Sequence, residues 1–226
     1  MNVLRVIRHG RLHPCRNMAL DEALLRTPGP PTLRLYGWSP PGLSLGYFQA
    51  ASDFSAVSGD HVMVRRLTGG GAICHSNEIT FAITADANVL PHNVKASYEL
   101  IHGAVATALE RVGVAAVVAG SPALRSQPRA RALWCFQDAS GADLLTPSGR
   151  KILGSAQRRL QRPRPRILHH GSLVVPHPPL LDALIEEISG ALGLRPKAGE
   201  TTEQEEALAK VLSRERYGNP RFTRRR

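Results

Sequence analysis

No strand–helix–strand rhythm runs through this chain, and that order constrains its fold more than any single residue does. Thr32–Trp38 and Leu43–Phe48 are strand-type segments around a Ser-Pro-Pro-Gly turn, and Val62–Leu67 and Ile79–Ala85 flank a run of glycines. Leu133–Phe136, Asp143–Leu145, Lys151–Leu160 and Ile167–Val175 follow as further strands across links of hairpin length. A first helix is predicted from Asn17, its cap, to Arg26, and Pro28 ends it. A second spans Ser97–Val112, where Tyr98, Ile101, Val105, Leu109 and Val112 form one apolar stripe. A third covers Leu180–Leu192, and a fourth starts at Thr202, with Glu205 completing a capping box, and runs to Arg214. Gly120–Arg131 reads as an exposed Arg-rich loop and Phe222–Arg226 as a frayed end. Helices interspersed among hairpin-linked strands predict an α+β fold with a mainly antiparallel sheet and flanking helices, not a doubly wound nucleotide fold.

The 226 residues suit one core domain, residues 1–195, followed by a short helical tail, residues 196–226. With 42% hydrophobic and 21% charged residues the chain is globular. Its 29 Lys plus Arg against 18 Asp plus Glu leave a net charge of +11, which points to an acidic or polyanionic partner. Nearly all of that charge is arginine, and the lysines are Lys95, Lys151, Lys197 and Lys210. Charge alone also suits a nucleic-acid-binding module, but there is no helix-turn-helix and only 5% of residues are aromatic. Cys15, Cys74 and Cys135 have neither the spacing of a disulfide framework nor that of a metal site. The Arg-rich start carries no secretory pattern, and Val112–Leu124 is too short to span a bilayer of about 20 residues. A cytoplasmic protein with no membrane association is the expectation.

Four segments carry candidate chemistry. In Arg65-Arg66-Leu67-Thr68-Gly69-Gly70-Gly71-Ala72, three glycines let the backbone approach a ligand and two arginines offer contacts to a carboxylate or phosphate. A flexible hairpin with a solvated basic edge fits the same residues, and the Gly-Lys-Ser/Thr ending of a phosphate-binding P-loop is missing. In Gly149–Arg159, Lys151 stands among β-type residues, where burial near arginines would suit it to carry a proton. Gly154-Ser155-Ala156 again permits close approach, although most strand lysines are exposed. His169 and His170, adjacent on a strand, face opposite ways, so a two-histidine metal site is not expected; a satisfied structural histidine is the first reading and one of the two lining a pocket the second. Cys135 lies in Trp134-Cys135-Phe136, a setting typical of core cysteines, but between an Arg-rich loop and Lys151 it is placed for a higher thiolate fraction.

Asn17–Leu24, Thr32–Trp38 with Leu43–Gln49, Arg65–Ala72 followed by His75, Gly149–Arg159 and His169–Leu173 occur together in one order. In this the chain resembles the lipoate–protein ligase and octanoyltransferase family, whose catalytic fold is that of biotin–protein ligases. The resemblance covers most of residues 2–175, and Tyr217-Gly218-Asn219 is similar to the tail of the single-domain octanoyltransferase branch. It implies a biotin/lipoate protein ligase-like catalytic domain and a protein octanoyltransferase. Cys135 then takes the octanoyl group from acyl carrier protein as a thioester and passes it to a lysine of a lipoyl-accepting domain or glycine-cleavage carrier protein. Lys151 becomes the general acid/base, and N–H groups at Gly70–Gly71 or Gly154–Ser155 stabilise the oxyanion. Arg65, Arg66, Gly69, Gly70, Gly71, His75, Gly154, Ser155, Ala156, His170 and Gly171 become substrate-binding residues, with no metal and no cofactor. The alternative is an ATP- and Mg-dependent lipoate–protein ligase, or its transfer half, with Cys135 in the core. Gly69-Gly70-Gly71 is closer to the ligase pattern, and Ser76 stands where the family usually has an acid after the motif histidine.

Overall fold

A computed structural model describes residues 3–57, 59, 61–120, 133–175 and 180–225. An eight-stranded sheet forms the frame, in the order β11-β1-β2-β6-β10-β9-β8-β7. Its strands are β1 (Val3–Leu12), β2 (Thr32–Trp38), β6 (Ile79–Asp86), β7 (Val117–Val118), β8 (Leu144–Leu145), β9 (Lys151–Leu160), β10 (Arg166–Leu173) and β11 (Arg195–Ala198). A second sheet places β3 (Gly42–Leu45) between β4 (Val62–Arg65) and β5 (Ile73–His75). β2, β6, β10 and β9 pair antiparallel, as expected. β1 pairs parallel with both β2 and β11, and β3 with β4, so the fold is α+β with antiparallel pairing at the centre of the main sheet.

Alternation along the central strands divides two cores. Leu33, Leu35, Phe81 and Ile83 pack with α2 (Val94–Arg111) and α3 (Leu180–Ala191), where Ile101, Val105 and Leu109 supply the expected stripe. Tyr36, Ala82 and Leu168 face the other way, onto α1 (Pro14–Arg26). No helix among the described residues is long and apolar enough to cross a membrane.

Several elements differ from expectation. α1 begins at Pro14, with the His13 side chain accepting from the Cys15 N–H as its cap. Proline suits the first helical position because it needs no N–H acceptor. Asn17, expected as the cap, lies inside α1, and its side-chain amide donates to Gly37 O at 2.8 Å. Trp134 only bridges Ala72, and Cys135 and Phe136 lie in a turn, so Leu133–Phe136 is not a strand. Residues 121–131 of the expected Arg-rich loop lie outside the described residues. The tail beyond residue 195 adds β11 to the main sheet and packs α4 (Glu203–Leu212) on α1. Tyr217 there donates its hydroxyl to Glu22 at 2.7 Å. Residues Pro220–Thr223 form α5, a further helical turn, where an open end was expected.

Beneath α1 runs a buried ion pair. Arg34, 0% exposed, donates to Asp21 at 2.5 Å, and the Tyr36 hydroxyl donates to the same carboxylate at 2.8 Å. Burial pushes the Asp21 carboxyl up, but Arg34, His170 and Tyr36 together hold it below its ordinary value. Removing one partner of such a pair strands the other charge. Asp21→Ala is therefore expected to cost about 3–5 kcal/mol in urea unfolding, and a loss under about 1 kcal/mol would show the pair to be dispensable.

Candidate active site

Gly154 on β9 is the point on which the candidate chemistry converges. A Cβ at this position would lie 2.7 Å from Cys135 Sγ, 3.1 Å from Lys151 Cε and 3.4 Å from Lys151 Nζ. Only glycine leaves room for the thiol and the lysine to occupy this space. Lys151 Nζ donates to Cys135 O at 2.8 Å and to Asp138 O at 3.1 Å, and pairs with Asp143 Oδ2 at 2.7 Å. Two carbonyls and a carboxylate thus hold the ammonium group in place. The anticipated arginine neighbours are replaced by an acid, Asp143, whose carboxylate is itself held by the Ser140 N–H and hydroxyl.

The glycine run closes over the thiol from the other side. A Cβ on Gly71 would meet Cys135 N at 2.7 Å, so the loop lies directly on the backbone that carries the cysteine. Gly70 has φ +92°, a left-handed value that favours glycine. The N–H groups of Gly69, Gly70 and Gly71 have no acceptor among the described residues. Arg66 shapes this loop, donating to Ser44 O (2.7 Å), Ser44 Oγ (2.7 Å), Gly69 O (3.2 Å) and Gly71 O (2.8 Å). Burial lowers its pKa to about 10, with Cys135 and Tyr36 acting in the opposite direction. Arg65 is a correction: it was expected at the ligand, but adjacent strand residues face opposite ways. Its guanidinium turns away and binds carbonyls of Gly46, Gln49, Thr223 and Arg225, tying the C-terminal turn to the fold.

Two spaces meet at Cys135. One is a narrow slot, lined among others by Met18, Tyr36, Trp38, Ile73, Thr80 and Ser172. Arg66, Gly69, Gly70, His75, Gly154, Ser155, Ala156, His170 and Gly171 also line it. The other is a more open cleft containing Phe48, Gly71, Trp134, Asp138, Asp143 and Lys151. Gly70, Cys135 and Ser155 line both. The sheet register gives the slot its direction. Gly154 pairs with Ser172, Ser172 with Thr80, and Thr80 with Tyr36, so one rung crosses β9, β10, β6 and β2. Three interstrand spacings of about 4.8 Å make that rung about 14 Å long. It runs from the thiol at Gly154 to the Met18–Tyr36–Trp38 cluster in the core under α1.

The histidines divide as predicted. His170 faces the slot, sharing a hydrogen bond of 2.7 Å with Thr68 Oγ1, while His169 is buried on the opposite face beside Phe81, Tyr98 and His102. Burial lowers the pKa of both. His75 stacks on Trp38 with ring centroids 3.7 Å apart, bonds Ser44 Oγ at 2.6 Å and pairs with Glu78. Glu78 thereby supplies the acid that the sequence lacks at Ser76. Asp143, Glu78, Ser44 and His102 escaped sequence reasoning. His102 links Ala142 O (2.5 Å) to Ser155 Oγ (2.6 Å), joining the segment that bears Asp143 to β9. Of these, only Glu78 carried a sequence signal, three residues after His75.

Residues 13–211 match the family described as the lipoyl protein ligase A/B catalytic domain, and the chain belongs to that family. It is 33% identical over 253 residues to an octanoyltransferase LipM of Symbiobacterium thermophilum, with 89% of this chain and 91% of that protein covered. It is 37% identical over 190 residues to an octanoyltransferase LipM of Kyrpidia tusciae, covering 77% of this chain and 67% of that protein. A solved structure from Thermoplasma acidophilum, described as a bi-partite lipoate protein ligase and its E2 lipoyl domain, superimposes with a TM-score of 0.76. That comparison covers 99% of this chain and 97% of the other at 20% identity, a likeness of fold.

Burial lowers the His75 pKa to about 4, with Glu78 opposing. The unfolded chain takes up that proton near pH 6.5. Because the unfolded state then binds more protons, stability falls as pH drops from about 6.5 to 4. His9, also lowered to about 4 by burial, contributes with the same sign. Urea unfolding at pH 7.5 and pH 5 is expected to show lower stability at pH 5, with a smaller difference in His75→Gln. Equal stability at both values would contradict the assignment of neutral buried imidazoles.

Proposed function

We propose that this protein is an octanoyltransferase acting in the cytoplasm. It moves an octanoyl group from acyl carrier protein, through a Cys135 thioester, to a lysine of a lipoyl-accepting domain. The observation that carries the reading is the position of Cys135 where the slot meets the open cleft, with Lys151 reaching the same point above Gly154. The slot suits an apolar tail of medium length, and the cleft leaves space for a donor arm and then an acceptor lysine. The LipM relatives support the octanoyl group, and the E2 lipoyl domain named with the Thermoplasma protein supports the kind of acceptor.

In the first half-reaction the Cys135 thiolate attacks the carbonyl carbon of the donor thioester. The carbonyl oxygen becomes negative, and the unpartnered N–H groups of Gly70 and Gly71 are the donors available to it. The bond to the donor sulfur breaks, and that sulfur takes a proton from the Lys151 ammonium. In the second half-reaction the neutral amine of the acceptor lysine attacks the Cys135 thioester and gives its proton to Lys151. The Cys135 thiolate leaves, an amide remains, and both side chains return to their initial states. One thioester is exchanged for another before the amide forms, so no step needs ATP. Arg66 holds the glycine loop over the thiol in both halves.

The ligase reading, with ATP and Mg, would leave Cys135 as wall rather than nucleophile. Intact-mass measurement separates the two. The protein mixed with octanoyl–acyl carrier protein and no ATP is expected to gain the mass of one octanoyl group. Cys135→Ser is expected to gain none and to lose transfer by at least about 10³-fold. Full transfer by Cys135→Ser would refute the proposal.

A further inference from the structure

The acyl-transfer chemistry does not use the arginines beyond the slot, and their pairing sets some of them apart. Arg5, Arg8, Arg16, Arg34, Arg111 and Arg166 each face a carboxylate. Among the described residues Arg158 and Arg225 face none, and both frame Tyr47. The Arg225 guanidinium lies 4.1 Å from the centre of the Tyr47 ring and that of Arg158 lies 5.7 Å from it. Arg225 also has Nε and Nη2 buried without a hydrogen-bond partner. The Tyr47 phenol is held below its ordinary pKa chiefly by Arg225, with Arg158 and Arg216 adding to the effect. An anion set at Tyr47 would lie beside two guanidinium groups that no carboxylate among the described residues neutralises.

The place of this cluster matters as much as its charge. Tyr47 packs edge-on against Phe48, which is 55% exposed and lines the cleft that leads to Cys135. Arg158 lies on β9 on the same face as Gly154 and Ala156, four residues beyond Gly154, or about 13 Å along the strand. The hairpin continues outward to the exposed Arg162 and Arg164. A basic strip thus starts about 13 Å from the thiol and leads away from it. A partner seated there must deliver its reactive carbon across that distance. A lysine side chain does not reach so far, whereas a thioester on a long phosphate-linked arm does.

We propose that Tyr47, Arg158 and Arg225, extended by Arg162 and Arg164, form the docking surface for the acyl donor. The donor is an acidic carrier protein, and the phosphate at the root of its arm lies against Tyr47. The inference rests on the acyl-transfer reading and adds the surface that the donor uses. Charge reversal at the rim of an interface acts on encounter and on salt dependence. Arg158→Glu, and separately the double variant Arg162→Glu/Arg164→Glu, are expected to raise KM for octanoyl–acyl carrier protein about tenfold. They are also expected to flatten its rise with salt. KM for the acceptor domain and turnover with octanoyl-pantetheine, which lacks the phosphate and the carrier, are expected to stay unchanged. Unchanged KM for the carrier, or a rise for the acceptor instead, would overturn the proposal. Carrier binding to Cys135→Ser, with and without Arg158→Glu, reads docking without turnover. Binding that Arg158→Glu abolishes supports the surface even if the transfer reading fails, and binding indifferent to Arg158 rejects it.

Discussion

Arg66 is the group on which the site depends. Its guanidinium is buried and donates to Ser44, Gly69 and Gly71, so one side chain fixes the loop that lies over Cys135. The Ser44 hydroxyl that receives it passes a hydrogen bond to neutral His75, whose other nitrogen meets Glu78. A buried cation left without acceptors is costly, so the carbonyls of the glycine loop must turn toward it. Their N–H groups are then left free at the mouth of the slot. The geometry suited to an oxyanion follows from satisfying one arginine.

The slot follows from register. Since Tyr36, Thr80, Ser172 and Gly154 share one rung, the space above them runs across the strands rather than along them. Its length is therefore set by the number of strands between β2 and β9, and its start by the glycine that admits the thiol. Slipping β9 by one residue would turn Gly154 to the α2 face and present a side chain to Cys135. The geometry around Cys135 and the pairing of the central sheet are one constraint. The slot's inner wall is tied to the same frame, because Tyr36 is held by the buried Asp21 that also bears Arg34.

Much of this was legible in the sequence where local pattern decides. The stripe of α2, the Thr202–Glu205 capping box and the strand Lys151–Leu160 follow from periodicity and side-chain chemistry, and the structure carries all three. The opposite facing of His169 and His170 follows from the pleat alone. The rest depends on distant partners. Val3–Leu12 carries arginines at 5, 8 and 11, which hide its strand character; Arg5 finds Glu205 and Arg8 finds Asp182, both far along the chain. Arg65 looked like a ligand residue because its neighbours were glycines, yet its acceptors lie some 160 residues away at Thr223 and Arg225. Asp143 offered no local sign of its pairing with Lys151. Cys135 was readable only by place in an ordered set of motifs, since a cysteine between Trp134 and Phe136 is equally at home in a core.

In the proposed reaction the acyl chain on Cys135 lies along the rung from Gly154 to Tyr36. A crystal structure of the protein after reaction with an octanoyl thioester tests it most directly. The expected result is a continuous chain bonded to Cys135 Sγ, its carbonyl oxygen toward Gly70 and Gly71 and its far end at Met18, Tyr36 and Trp38. An acyl group on Cys74 or Cys15, or a chain on Cys135 lying out in the open cleft with the slot empty, would contradict it.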